Sequence, residues 1–343
     1  MKYTKFPKSE DKISKLGYGA MGLAGWFEDR TQQQMHRSVI NALEQGVNFI
    51  DTARAYGDSE IILGKALKDW QGEKPFLATK VESLGPDNTR WGIPSQVEET
   101  FPKGHIRHST ETSLKKLGIE QIDLLQLHLY WPNWGVSGYW MDELQALKEE
   151  SKIRFIGISN PDCRCDTALP LVQSGLIDAV QTIFNIFDPT PLDCLVPIAQ
   201  QNQVAILARC IMDEGGLSGF LTEDTQFSED DYRKTFFECV PRRMYIKRID
   251  RLKKYVPEYA GSLAALAIKF ATHHQGITTA LTSMHVEKYA NMNIAAMKEA
   301  PLPEEVFQEI RQFHRWIRNF YDTKLWDKEA VGGTLSIKEN TDA

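Results

Sequence analysis

The sequence predicts an α/β protein of the (β/α)8, or TIM-barrel, class, folded as a single domain. Eight short apolar runs alternate with amphipathic segments, and no low-complexity linker divides them. The length of 343 residues suits one such barrel with extensions. The runs carry few charges, which is typical of parallel strands buried on both faces. They occupy residues 16–20, 47–53, 75–81, 122–128, 153–160, 179–185, 203–210 and 278–283.

The segments between the runs have helical spacing. The first, TQQQMHRSVINALEQG (31–46), begins with a threonine suited to an N-cap and stops at a glycine suited to a helix end. Similar segments are STETSLKKLG (109–118), YWMDELQALKEE (139–150) and LDCLVPIAQQNQ (192–203). We expect one domain over 1–343, with the barrel core at about 13–300. A C-terminal helix or loop and tail would occupy 301–343, the tail being polar beyond about Trp326.

Two long interruptions follow predicted strands. One spans residues 82–103 after the third strand, and the other spans 213–243 after the seventh. Barrels of this class build their active sites at the carboxyl ends of the strands. Both interruptions are therefore predicted to be substrate loops.

Composition narrows the function. The formal net charge is −6 and the pI about 5.8, with basic residues scattered, so neither a nucleic-acid nor a membrane partner is predicted. Residues 1–10 lack an apolar signal region, and no apolar run reaches bilayer length. Five irregularly spaced cysteines indicate reduced thiols and a cytoplasmic protein. Cys163 and Cys165 form a CxC pair without further ligands in view, so no metal is predicted.

The stretch GYGAMG, from Gly17 to Gly22, matches the letters of the dinucleotide motif G-x-G-x-x-G. That motif requires a helix opening inside it and an acidic residue about 20 positions later. Here the following LAGWFEDR is not expected to be helical, and the first helix signal is Thr31. We interpret the glycines as allowing the first strand to turn tightly.

Four polar residues stand at the ends of consecutive runs. Asp51 ends the second run and Tyr56 follows in its loop, while Lys80 ends the third run and His128 the fourth. In a barrel all four would meet on one rim. A lysine ammonium beside a phenol favours the phenolate and lowers the tyrosine pKa. A carboxylate would hold that lysine, and an imidazole would orient a substrate oxygen, so the set suits protonation of a carbonyl oxygen.

These residues lie in longer stretches that resemble the aldo-keto reductases over roughly residues 10–300. The stretches are GVNFIDTARAYGDSE (46–60), LATK (77–80) and SLKKLGIEQIDLLQLH (113–128). The resemblance implies a (β/α)8 barrel that binds NAD(P)(H) without a Rossmann domain and delivers a hydride to an aldehyde or ketone. It also implies that Asp51, Tyr56, Lys80 and His128 are the catalytic residues.

The resemblance further implies where the cofactor lies. KIRFIGISN (152–160) resembles the segment whose serine and asparagine hold the nicotinamide carboxamide, here Ser159 and Asn160, and AVQTIFN (179–185) supplies Gln181. The cofactor-binding residues implied in full are Ala20, Met21, Asp51, Ser159, Asn160, Gln181, Arg209, Cys210, Met212, Asp213, Ser283, Met284, His285, Tyr289 and Asn293.

The chain departs from the family after the seventh run. Arg209 stands where many members carry an aromatic that stacks on the nicotinamide. Its guanidinium is expected either to stack on the ring or to pair with a carboxylate on the rim. Asp213 and Glu214 would lie beside the pyrophosphate, so we expect their carboxylates to turn away while backbone N–H groups bind.

The adenine end departs further. Asn293 matches the family's adenine-binding asparagine, but Tyr289 occupies the place of the arginine that binds a 2′-phosphate. Ser283 and Met292 also replace family residues, leaving His285 and Lys288 to meet such a phosphate. Since arginine supplies bidentate phosphate recognition best, the cofactor is predicted to be NAD(H) or NADP(H), with a lean towards NAD(H) or dual use.

Aromatic residues near strand ends could wall a pocket for a small carbonyl or alcohol substrate. Met21, Trp26, Trp91 and Trp131 are the predicted substrate residues. Further aromatics also fall in or near these loops, namely Tyr130, Trp134, Tyr139 and Trp140. All of these aromatic residues could instead pack their own loops. Reaction direction and the choice between a monomer and a homo-oligomer remain open.

Two other functions are compatible with parts of the sequence. One is a weakly active cofactor-binding regulatory or sensor protein on the same fold, against which the complete tetrad argues. The other uses Lys80 as a Schiff-base nucleophile. A lysine paired with Asp51 would stay protonated and be a poor nucleophile, so this reading is disfavoured.

Overall fold

The structure is a computed structural model that describes residues 1–26, 30–85, 94–229, 231, 233–238 and 242–316. Eight parallel strands close a barrel in which each strand pairs with the next one along the chain and the last pairs with the first. This confirms the predicted fold class, and each barrel strand lies inside one of the eight predicted runs. The barrel strands are β3 (Leu16–Gly19), β4 (Phe49–Asp51), β5 (Phe76–Val81), β6 (Ile122–Leu127), β7 (Ile153–Ser159), β8 (Ala179–Ile183), β9 (Ala205–Arg209) and β10 (Thr279–Ser283).

A hairpin that the sequence did not reveal precedes the barrel. Strands β1 (Tyr3–Lys5) and β2 (Lys12–Ser14) pair antiparallel. Phe6 follows β1, is fully buried, and packs 4.8 Å from the rings of both Phe76 and Phe155. The hairpin thus seals the end of the barrel opposite the predicted site. Strands of three residues are too short to show an alternating pattern.

The helices follow the predicted alternation. The first confirms its sequence signals, because Thr31 accepts from the backbone of Gln34 in a capping box and Gly46 has a left-handed φ of 88°. The α-helices are α1 (Gln32–Glu44), α2 (Ser59–Asp69), α3 (Val97–Thr100), α4 (His105–Leu117), α5 (Tyr139–Glu149), α6 (Leu169–Ser174), α7 (Leu195–Gln201), α8 (Arg233–Glu238), α9 (Arg242–Leu252), α10 (Leu263–His273), α11 (Glu287–Ala296) and α12 (Glu304–Phe313). None of these described helices is both long enough and apolar enough to cross a membrane.

The glycines of the GYGAMG stretch are required for a different physical reason from the one predicted. Gly17 and Gly19 lie within β3, and Gly22 lies in a 3-10 helix over Ala20–Ala24, where no helical structure was expected. A Cβ atom on Gly22 would lie 2.0 Å from Nδ1 of His285, and one on Gly17 would lie 2.8 Å from a methyl group of Leu281. The prediction of a tight turn was wrong. The glycines instead allow the start of the chain to pack closely against β10 and the segment after it.

The two interruptions differ from plain loops. The first contains α3, although its residues 86–93 lie outside the described part. The second contains a 3-10 helix over Gly216–Ser218, the helix α8 and the start of α9. The predicted C-terminal tail, residues 317–343, lies outside the described residues, so the extent of a single domain stays a prediction.

Candidate active site

Strand register brings the four predicted catalytic side chains to one rim. Asp51 ends β4, Lys80 lies in β5, and His128 directly follows β6. Lys80 Nζ lies 2.5 Å from Asp51 Oδ1 and 5.0 Å from the centre of the Tyr56 ring. The rings of Tyr56 and His128 meet edge to face, with centroids 5.6 Å apart. The phenol is therefore flanked by an ammonium and an imidazole.

The loop that carries Tyr56 is held by buried hydrogen bonds at both ends. The hydroxyls of Thr52 and Ser59 lie 2.8 Å apart, and Ser59 also donates to the carbonyl of Ala20. Within the loop, the backbone N–H of Tyr56 donates to the carbonyl of Ala53. The first turn of α2 and the end of β4 thus fix the phenol's position before any substrate binds.

Asp51 is also bonded on its other oxygen. Its Oδ2 accepts from Gln126 Nε2 at 2.9 Å and from Gln181 Nε2 at 3.0 Å. Sequence reasoning gave Gln126 no role, although a signal was present. It is a polar residue inside an apolar run, two positions before His128 and hence on the same face of its strand. The carboxylate is held by three side-chain donors from three other strands.

Burial changes the electrostatics expected for Tyr56. Burial raises the pKa of Tyr56 above its ordinary value, while Lys80 acts in the opposite direction. The expected lowering by the lysine thus has the right sign but is smaller than the effect of burial. Burial lowers the pKa of Lys80, but Asp51 and Tyr56 outweigh it and hold that pKa above its ordinary value. Lys80 is therefore an ammonium, as an electrostatic partner of the phenol must be.

The predicted nicotinamide end lies beside this rim. Ser159 ends β7, pairs in register with Gln181 of β8, and precedes Asn160. Asn160 is fully buried, and its Nδ2 donates to the carbonyl of Pro161, but its Oδ1 has no hydrogen-bond partner among the described residues. A buried acceptor without a donor is costly, so it marks a place where a ligand amide fits. Gln181 donates its Nε2 to Asp51, and its contact with a carboxamide stays a prediction.

Arg209 forms an ion pair with a carboxylate of the loop after β7. Its Nη2 donates to Asp162 at 2.7 Å and to the carbonyl oxygen of Asn160 at 3.1 Å. Burial lowers the pKa of Arg209, but Asp162 outweighs it and the pKa lies above its ordinary value. The guanidinium thus links the end of β9 to the segment that carries Asn160. Stacking on a nicotinamide stays a prediction.

The two carboxylates that follow β9 bond to neighbouring side chains. Asp213 is buried and accepts from Tyr245 at 2.6 Å and from Asn185 at 3.3 Å. The Glu214 carboxylate accepts from the Cys210 thiol at 3.1 Å. Cys210, Asp213 and Glu214 all have left-handed φ values near 50°, a conformation uncommon outside glycine. The backbone is thereby bent into an irregular turn, the shape in which N–H groups can bind anions.

The adenine end is more open. Asn293 is buried and donates to the carbonyl of Ser283, while the Ser283 hydroxyl lies 2.7 Å from Nδ1 of His285. Tyr289 is 49% exposed, and Lys288 Nζ lies 6.0 Å from its ring. The helix α11, which carries Tyr289, contains no arginine that could bind a 2′-phosphate.

The remaining predicted cofactor residues differ in exposure. Ala20 and Met284 are fully buried, and their contact with a cofactor stays a prediction. Met212 is half-buried and lies between Cys210 and Asp213, which both have left-handed backbone conformations.

The aromatic residues divide into two sets. Trp26 is 47% exposed and meets the Tyr56 ring edge-on at 6.1 Å, with half-buried Met21 on the same loop. Trp131 is only 5% exposed, and Trp91 lies outside the described residues. Tyr130 packs against both Trp134 and Trp140 at about 6 Å in the core. These three side chains are buried, Trp140 within helix α5, and a contact of any of them with substrate stays a prediction.

Comparison with known proteins identifies the family. The family model described as "Aldo/keto reductase family" matches residues 15–315. The chain belongs to this family. One relative, the NADH-specific methylglyoxal reductase of Escherichia coli (strain K12), is 27% identical over 313 residues, covering 87% of this chain and 94% of the relative.

Two solved structures agree with this assignment. The holo form of aldo-keto reductase AKR11C1 from Bacillus halodurans is 25% identical, with a TM-score of 0.71 over 94% of this chain and all of that one. The glycerol dehydrogenase AKR11B4 from Gluconobacter oxydans is 25% identical, with a TM-score of 0.75 over 92% of this chain and 97% of that one. This aldo/keto reductase is therefore an oxidoreductase of a family that uses NAD(P)(H) and acts on small carbonyl substrates.

Proposed function

We propose that this aldo/keto reductase reduces an aldehyde or ketone to an alcohol with Tyr56 as the general acid. The observation that carries the proposal is the position of the Tyr56 ring between the Lys80 ammonium and the His128 imidazole. A bound nicotinamide cofactor supplies the hydride that adds to the carbonyl carbon. As negative charge builds on the carbonyl oxygen, the Tyr56 hydroxyl gives its proton to that oxygen.

The other members of the tetrad support this proton transfer. Lys80 stabilises the phenolate that remains, and Asp51 keeps Lys80 in place through the 2.5 Å contact. His128 donates a hydrogen bond to the carbonyl oxygen and so fixes its direction towards Tyr56. In the reverse direction the phenolate accepts the alcohol proton, and the same contacts serve oxidation.

The cofactor would be held from three strand ends. Ser159, Asn160 and Gln181 would bind the carboxamide, and the orphaned Oδ1 of Asn160 supports this role. The turn from Cys210 to Asp213 would meet the pyrophosphate with its backbone, and Asn293 would meet the adenine.

We propose a preference for NADH, because an exposed tyrosine stands where a 2′-phosphate would need an arginine. The name of the NADH-specific relative agrees with this preference. Fluorescence titration with NADH and with NADPH tests it, and binding of NADPH about a hundredfold tighter would contradict it.

A carbonyl panel tests the activity itself. The panel contains methylglyoxal, longer aliphatic aldehydes and aromatic aldehydes, with glycerol and NAD⁺ for the reverse direction. Consumption of NADH with at least one carbonyl supports the proposal. Tight NADH binding with no turnover across the whole panel would favour the sensor function instead.

A Schiff-base mechanism makes a different prediction for Lys80. Borohydride reduction in the presence of substrate would leave a covalent adduct on that lysine. We expect none, because Lys80 is a buried ammonium paired with Asp51. A cytoplasmic location and a monomeric or homo-oligomeric state stay predictions from the sequence.

A further inference from the structure

Three cysteines lie on two neighbouring loops that the proposed chemistry does not use. Cys163 and Cys165 follow β7, and Cys194 directly precedes α7 after β8. The Sγ atoms of Cys165 and Cys194 are 3.5 Å apart, and both residues are free thiols. Cys165 is buried, Cys194 is half-buried, and Cys163 is exposed. Two thiols from different loops are thus in direct contact, with one of them accessible to solvent.

We propose that Cys165 and Cys194 form a reversible disulfide that loosens the cofactor site. A disulfide joins sulfur atoms at about 2.05 Å, so closing the pair needs a relative movement of about 1.5 Å. Both cysteines sit in irregular segments, with Cys165 opening a 3-10 helix and Cys194 at the N-cap of α7. Such segments can move by that amount without breaking a strand of the barrel.

The oxidant we name is a small-molecule disulfide such as oxidised glutathione. The Cys194 thiolate attacks one sulfur of that disulfide, forms a mixed disulfide and releases the first small thiol. Cys165, as its thiolate, then attacks the Cys194 sulfur and releases the second small thiol. Two protein thiols are oxidised to one disulfide, and one small disulfide is reduced to two thiols. Reduction by excess thiol reverses both steps.

Burial and the contact between the two sulfur atoms explain why the pair stays reduced until an oxidant arrives. Burial and the adjacent Cys194 raise the pKa of the Cys165 thiol, so Cys165 is a poor first nucleophile. The half-buried Cys194 is the more accessible sulfur and would react first. Cys210 is less suited, since burial and Glu214 raise its pKa well above the ordinary value.

The two loops also carry groups of the proposed cofactor site, so this part of the inference rests on the proposed function. Asn160 and Asp162 precede Cys165 and both bond to Arg209. Asn185 lies on the loop that leads to Cys194 and donates to the carbonyl of Cys210 and to Asp213. Drawing the loops together would therefore displace contacts on both sides of the nicotinamide position.

Peptide mapping distinguishes the possible pairings. The full chain is treated with oxidised glutathione, remaining thiols are blocked with N-ethylmaleimide, and the protein is digested with trypsin. Arg164 separates Cys163 from Cys165, whereas no lysine or arginine lies between Cys165 and Arg209. The proposed disulfide leaves peptide 165–209 two hydrogens lighter and unblocked, with Cys163 blocked on its own peptide 155–164. A covalent link between these two peptides, or blocking of all cysteines, would overturn the proposal.

Cysteine variants show whether a loss of the disulfide comes from the missing thiol or from misfolding. Cys194→Ser and Cys165→Ala should each abolish the internal disulfide, while Cys163→Ser, the matched control two residues away, should retain it. Circular dichroism of each variant establishes that it is folded. If Cys163→Ser also loses the disulfide, Cys163 is a required partner and the assignment to Cys165 is wrong.

Cofactor titration tests the effect on binding. The oxidised protein should bind NADH at least about fivefold more weakly than the reduced protein, the lower end of ordinary coupling between sites. Added thiol should restore binding, and Cys194→Ser, which lacks the thiol that attacks first, should show no response to oxidant. An unchanged Kd with the disulfide formed would overturn the loosening of the site. If the reduced protein itself fails to bind NADH or NADPH, the proposed function fails while the mapped disulfide stands.

Discussion

Two regions of this barrel are built in different ways, namely the rim that carries the proposed tetrad and the turn over residues 210–214 after β9. On the rim, Asp51 and Lys80 are parts of regular strands, and their side chains are fixed by hydrogen bonds inside the barrel. In the turn after β9, the backbone itself is irregular, with non-glycine residues in left-handed conformations. Asp213 there accepts from the buried Tyr245 beneath the turn.

This difference explains which part follows the family and which departs from it. A proton transfer needs particular side chains at particular distances, so the residue types on the rim admit little change. Backbone N–H groups bind phosphate whatever the side chain, so the turn can carry acidic residues if they point elsewhere. Three substitutions test that division, and a fourth measures stability outside both regions.

The largest effect is expected on the rim, from Tyr56→Phe. Removal of the hydroxyl removes the proposed proton donor, so kcat for carbonyl reduction should fall by about a thousandfold while NADH affinity stays the same. Steady-state kinetics and fluorescence titration measure the two quantities. Tyr3→Phe makes the same chemical change at the sealed end of the barrel and should leave both unaltered. Full activity in Tyr56→Phe would remove the general-acid assignment.

The second effect concerns the support of Asp51 by Gln126. Gln126→Met keeps the length of the side chain but removes one donor to a buried carboxylate, an interaction of about 1.5–3 kcal/mol. We expect kcat to fall by about tenfold with little change in KM, because Lys80 and Tyr56 are less well positioned. Gln121→Met, before the start of the same strand, serves as the control. A loss confined to KM would show that Gln126 supports binding rather than catalysis.

The third effect should appear at the turn after β9. Tyr245→Phe removes the 2.6 Å hydrogen bond to the Asp213 carboxylate, leaving a buried charge with fewer donors. The Kd for NADH should rise by about tenfold, while kcat at saturating NADH changes little. Tyr255→Phe, which loses a bond to Glu309 outside the site, is the matched variant. Equal effects of the two changes on Kd would mean that the turn does not depend on Asp213.

The smallest effect concerns the pH dependence of stability, and it arises at His314, outside both regions. Burial and nearby cations lower the pKa of His314 to about 4. The unfolded chain, with an ordinary pKa near 6.5, takes up the proton first, so stability falls as the pH drops from about 6.5 to 4. His314→Gln should reduce the loss between pH 7 and 5 by about 1 to 2 kcal/mol in urea unfolding. The control His108→Gln changes an exposed histidine and should leave this loss of stability as it is. If His314→Gln also leaves the loss unaltered, the loss belongs to other groups.

Local signals made much of the fold predictable. The capped start of α1 and the apolar runs of the barrel depend on residues close in sequence, so both were visible without coordinates. The hairpin at the start of the chain was missed because its strands are too short for a pattern. Of the helices after β9, α8 was missed because it has only six residues. The helix α9 was overlooked although Tyr245, Ile249 and Leu252 recur at helical spacing and are buried.

The candidate site was predictable in part. Spacing identified Asp51, Tyr56 and Lys80, because each stands at the end of its own strand or in the loop that follows. Gln126 was overlooked because its partner Asp51 is 75 residues away. The conformations of Trp131 and Arg209 could not be predicted, since packing and ion pairing compete with ligand contact at such places.

The sequence by itself determined the order of strands and helices and which polar residues stand at the strand ends. Those features follow from side-chain periodicity and capping, which act over a few residues. Only the tertiary structure decided that Gly22 makes room for His285, that Asp213 turns to Tyr245, and that Cys165 meets Cys194. These pairs are distant in the chain, and their contacts arise only when barrel closure brings separate loops to one rim.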